Sequence, residues 1–109
     1  MTRIFTIPFH VQRIDKSIMP PELSGAYVNC YSAGDDCVEA TQSALRKLSA
    51  DGLHPLEILQ PILEMNSDDW TAHISEQWAG HVTSLPTQAE FEEAIQSKKV
   101  VYGPFGSYT

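Results

Sequence analysis

The sequence predicts an α+β fold of two layers, a mixed and roughly four-stranded sheet with its helices on one face, in the order ββαβααβ. Three observations predict it. Phe5, Ile7, Phe9 and Val11 alternate with Thr6, Pro8, His10 and Gln12, the period-two pattern of a half-buried strand. Between Ala26 and Met65 a strand, a capped helix and a second strand follow one another. Beyond Met65, two amphipathic stretches precede a short β-branched run, Val100-Val101-Tyr102.

Taken in order, the first strand carries Pro8, which removes a ladder donor and places the strand toward an edge. The connection Asp15 to Gly25 holds Met19-Pro20-Pro21 and Ser24-Gly25, so it reads as an ordered hairpin loop longer than a tight turn needs. In the second strand the small or apolar Ala26, Val28 and Cys30 alternate with Tyr27, Asn29 and Tyr31.

A helix then spans Asp36 to Asp51. Asp36 and Glu39 have the spacing that satisfies orphan amides at a helix start, and Gly52 stands where a helix end favours a left-handed residue. Val38, Thr41, Leu45 and Leu48 form its apolar stripe, opposite Glu39, Gln42, Arg46 and Lys47. Leu53 to Met65 reads as a strand near an edge, or one broken at Gln60-Pro61, and the strand–helix–strand unit favours parallel pairing of its two strands.

Ser67-Asp68-Asp69 opens a second helix whose Trp70, Ile74 and Trp78 share one face and which ends near Gly80. Thr87 and Glu90 have capping-box spacing for a third, with Phe91, Ala94 and Ile95 inward. Gly103-Pro104-Phe105-Gly106 closes the last strand. This layout is broadly ferredoxin-like, although the element order departs from βαββαβ.

A length of 109 residues fits one domain over residues 1–109, with roughly two-thirds of the unfolded surface buried. The formal charge of -7, with seven basic residues against fourteen acids, argues against nucleic acid as a partner and for a basic one. Two cysteines make no disulfide framework, and neither a signal-peptide run in Met1-Thr2-Arg3-Ile4-Phe5 nor a membrane span is visible. The expected compartment is the cytoplasm, with no membrane association.

Asp69 and His73 lie four apart on one helical side with His81 beyond, a candidate metal set of oxygen and nitrogen ligands. No HExxH or thiolate pair accompanies them, so a solvated helix face is the simpler reading. Cys37 sits in the first turn of its helix, where the dipole favours a thiolate, but Asp35 and Asp36 oppose a second negative charge; Cys30 is read as a core residue. No GxSxG, Walker loop or GxGxxG is present, and no cofactor is expected.

The aromatics carry the leading expectation. With helices on one face only, Tyr27 and Tyr31 stand beside Asn29 on the opposite, bare face, with Asp35 at its acidic rim. The expected function is therefore non-catalytic protein binding: docking of a basic partner in the manner of an inhibitor or immunity-type protein, or self-association as a homodimer. The alternative is a small enzyme or metal-binding protein using Asp69, His73 and His81.

Overall fold

The computed structural model describes residues 3–109; Met1 and Thr2, part of the stretch read for a leader, lie outside the described residues. Strands β1 (Arg3–Arg13) and β2 (Gly25–Gly34) form a long antiparallel hairpin, in register from Arg3 opposite Gly34 to Gln12 opposite Gly25. On the free side of β1 lie β3 (Leu53–Ile58) and β4 (Leu63–Met65); on the free side of β2 lie β5 (Val101–Tyr102) and β6 (Gly106–Tyr108).

The sheet has six strands and every neighbouring pair among the described residues is antiparallel, so it is not mixed. The expected parallel pairing fails for a local reason. β2 folds straight back on β1, and the chain leaving the crossover helix then takes the other side of β1. β2 and β3 run in the same direction with β1 between them.

The strand number exceeds the expectation because each outer lane is interrupted once. Residues 59–62, which include the cis Gln60–Pro61 peptide, separate β3 from β4, and residues 103–105 separate β5 from β6. The first break accounts for Pro8, which stands in a central strand rather than at an edge. The Pro8 carbonyl accepts from the Leu59 amide at 2.8 Å, so the side of Pro8 that lacks a donor faces the gap beside β3.

Helix α1 (Cys37–Ala50) begins as its residues dictate: the Asp36 carboxylate accepts from the Glu39 amide at 2.8 Å. It covers one sheet face, where Ala40, Ala44 and Leu48 meet Phe5, Ile7, Phe9, Val11, Ala26, Val28 and Cys30. The buried stripe is rotated from the one expected, and Val38 is 66% exposed. Large rings on β1 fill the space under the helix, so the helix presents alanines and approaches closely. Hydrophobicity alone selects the bulkier neighbours.

Helices α2 (Trp70–Gln77) and α3 (Gln88–Gln96) pack on the opposite face, so the helices do not share one side of the sheet. Trp70, Ile74, Phe91 and Ile95 close over Ile4, Tyr31 and Val101. Trp70 and Phe91 stack with centroids 4.1 Å apart and planes 2° from parallel, and the Trp70 indole donates to the Pro86 carbonyl at 2.8 Å. The Thr87–Glu90 capping box forms as the spacing predicts. No helix among the described residues is long and apolar enough to cross a membrane.

Candidate functional site

Register places Pro8, His10 and Gln12 of β1 on the same face as Tyr27, Asn29, Tyr31 and Ala33 of β2. This is the face that α2 and α3 cover, but they cover only the end holding Ile4, Tyr31 and Val101. Tyr31 is fully buried, which corrects the expectation of an open face carrying both rings. Tyr27, four residues back toward the hairpin loop, is 50% exposed.

At that uncovered end three rings assemble. His10, registered opposite Tyr27, stacks on it with centroids 4.5 Å apart and planes 15° from parallel. β6 brings Tyr108 opposite Gly25; its hydroxyl lies 2.6 Å from His10 Nε2 and its ring 6.1 Å from that of Tyr27. Gly25 makes this possible, because a Cβ there would stand 2.5 Å from the Tyr108 hydroxyl and 2.7 Å from the Val11 carbonyl oxygen. Tyr108 remains 38% exposed, and Glu57 of β3 is registered opposite His10.

His10 and Tyr108 were not singled out from the sequence. The signal for His10 was present: pairing the two alternating strands as a hairpin puts its ring among the tyrosines. Tyr108 follows the Gly103–Gly106 turn, where no strand was expected, so nothing local marked it.

Of the other residues read as an interface, Asn29 lies between Tyr27 and Tyr31, partly exposed, and its carbonyl accepts from the Gly103 amide at 2.8 Å. Asp35 is exposed beyond the far end of β2, eight residues from Tyr27 and thus roughly 26 Å away along an extended strand. The structure brings Tyr27 and Asn29 together but not Asp35.

The buried end holds a polar network. The Trp78 indole donates to Tyr31 Oη at 2.9 Å, and Tyr31 Oη lies 2.7 Å from His73 Nε2. Tyr31 Oη thus accepts from Trp78, and the tautomer of His73 sets which of the Tyr31 and His73 groups donates in the other bond. Burial pushes the Tyr31 hydroxyl up, against hydrogen bonds from Trp78 and Asn29, and pushes the His73 imidazole down, against Glu76.

The sign of the pH effect follows. Because the folded state holds His73 below its ordinary value of 6.5, the unfolded chain binds the proton more readily. The stability contribution is complete above that value and declines as pH falls through it toward the folded value. Urea denaturation between about pH 7 and about pH 5 is expected to show a smaller loss of midpoint in His73→Gln than in the wild type. Equal slopes would remove His73 as the source.

The candidate metal residues do not converge. Among the described residues no three His, Cys, Asp or Glu side chains are grouped to hold a metal ion, so Asp69, His73 and His81 form no such set. His81 is exposed in a 3-10 turn over Ala79–Ser84, and His73 is engaged by Tyr31. Cys30 is fully buried and its thiol is pushed up to about 12 by burial. Cys37 is partly exposed, with Sγ 3.9 Å from Thr41 Oγ1. Comparison with protein-family models, curated proteins and solved structures finds no match.

Proposed function

We propose that the protein is a non-catalytic binding domain that docks a basic protein partner through the uncovered end of its sheet face. The observation that carries this reading is the cluster of His10, Tyr27 and Tyr108, with both tyrosines exposed and His10 partly so, at the end of the sheet face that α2 and α3 leave uncovered. Rigid aromatic rings with a hydroxyl at the tip suit an interface, because they bury large areas at low entropy cost and still satisfy a hydrogen bond. A cluster already stacked before binding loses little freedom on docking.

Charge favours a basic partner over a second copy. A formal charge of -7, with Glu57 beside His10, attracts cations and opposes the approach of an identical face. An inhibitor or immunity-type role, neutralising a cationic protein, has this form; that part of the reading rests on size and charge alone.

The test compares affinity capture by the wild type with capture by Tyr27→Ala/Tyr108→Ala. The expected result is a cationic protein held by the wild type and lost with the double variant, while the variant keeps its far-ultraviolet spectrum. Raising salt from about 0.1 M to about 1 M, which shortens the Debye length from about 10 Å to about 3 Å, is expected to weaken the complex. A partner retained equally by the double variant, or a dimer of this chain that the double variant dissolves, would overturn the proposal.

A further inference from the structure

A second surface, on the α1 side of the molecule, is opposite in charge to the rest of the chain. Ser43, Arg46 and Lys47 of α1 and Lys98, Lys99 and Val100 of the turn after α3 line a groove of about 280 Å³. Four of the chain's seven basic residues therefore border one groove in a protein of formal charge -7. Gathering like charges is unfavourable unless something neutralises them.

The chain itself supplies little neutralisation. Lys47 pairs with Asp51 at 3.1 Å, whereas Arg46, Lys98 and Lys99 have no carboxylate within 4 Å among the described residues. Asp35 and Glu39 share a neighbouring crevice with Lys98, but neither forms an ion pair with it within 4 Å. Ser43 Oγ accepts from Arg46 Nη2 at 3.2 Å, which steadies the guanidinium and leaves the hydroxyl proton free to donate.

A separate observation concerns the backbone. α3 ends with Lys99 N–H donating to the Ala94 carbonyl at 2.8 Å and Lys98 N–H to the Ile95 carbonyl at 3.0 Å. This pair of bonds places a left-handed residue at position 98, where glycine is the usual occupant. Lys98 adopts it with φ of 59°. Glycine enters that region at lower cost, and Lys16, with φ of 61°, is the other non-glycine residue found there among the described residues.

We infer that this groove is a binding site for a small phosphate-bearing ligand, held between the α1 cations Arg46 and Lys47 and the turn cations Lys98 and Lys99. Several cationic groups and a hydroxyl donor around a small concavity match an anion of two or more charges with several acceptor oxygens. The planar fork of Arg46 suits two phosphate oxygens, and the lysines act as point charges. The site lies across the sheet from Tyr27 and does not depend on the docking reading.

The test uses pyrophosphate as probe and amide chemical shifts as readout. Saturable shifts are expected at Ser43, Arg46, Lys98 and Lys99, with none at Tyr27. Lys98→Gly/Lys99→Gln is expected to weaken the apparent Kd at least tenfold. Because glycine suits the left-handed position, that variant is expected to melt no lower than the wild type, which separates loss of binding from loss of structure. Absence of saturable shifts in the wild type, or an unchanged Kd in the variant, would overturn the site.

Discussion

Replacing Trp70 by Ala is expected to lower the unfolding free energy by about 3–5 kcal/mol, a large part of the roughly 5–15 kcal/mol available to a small domain. The ring is fully buried, stacks on Phe91, meets the edge of Tyr31 at 4.9 Å and satisfies the Pro86 carbonyl. Its loss removes the largest side chain from the cluster beneath α2 and α3. That cluster is separated by the sheet from the one beneath α1. Hydrogen exchange in Trp70→Ala is therefore expected to show α2 and α3 opening at lower free energy than α1. A uniform loss of protection would mean that the two clusters open as one unit. Trp70→Phe, which retains a stack on Phe91 but drops the bond to Pro86, is expected to cost about 1–3 kcal/mol and provides a folded intermediate case.

The second large effect is expected at Gly52. Its φ of 72° is one that other residues enter at roughly 1–2 kcal/mol, and a Cβ would stand 2.5 Å from the Ser17 Cα and 2.8 Å from the Ser17 amide nitrogen. The obstacle is backbone, held in turn by the Ile14 amide on the Gly52 carbonyl and the Ile18 amide on the Asp51 carbonyl. Gly52→Ala must therefore displace the hairpin loop from the end of α1, and a total cost of about 2–4 kcal/mol is expected. Gly80→Ala is the matched control. Nothing lies within 4 Å of a Cβ at Gly80 and its φ is not positive, so denaturation midpoints are expected to stay level or rise slightly. Equal losses in the two variants would refute the steric account.

Much of the local structure was legible because single residues carry it. Asp36 with Glu39 and Thr87 with Glu90 mark helix starts by chemistry that needs no tertiary partner, and both caps form. Phe5, Ile7, Phe9 and Val11 are buried as their alternation implies. What escaped was relational. A strand covered on both faces at one end still alternates small against large, so Tyr31 reads like Tyr27. The difference lies in His73 and Trp78, which arrive from more than forty residues away to satisfy its hydroxyl. The second apolar face is visible only when Val101 is registered opposite Tyr31 and Ile4, opposite Ala33, falls diagonal to Tyr31 across the hairpin, and that register is set by tertiary pairing. In the candidate site, Tyr27 and Asn29 were legible as outward residues. His10 needed the hairpin register, and Tyr108 needed the pairing of β6 with β2.

The interruptions in the two outer lanes govern how this molecule meets its neighbours. An unbroken border strand offers a continuous row of amides and carbonyls on which another chain can template itself, the usual route to fibrils and to partners that join as an added strand. Here one border is cut between β3 and β4 and the other between β5 and β6, leaving pieces of two to six residues. A strand added at either rim would therefore meet separate short pieces in place of one continuous ladder, and the longest of them, β3, carries Pro55, which offers no amide to such a partner.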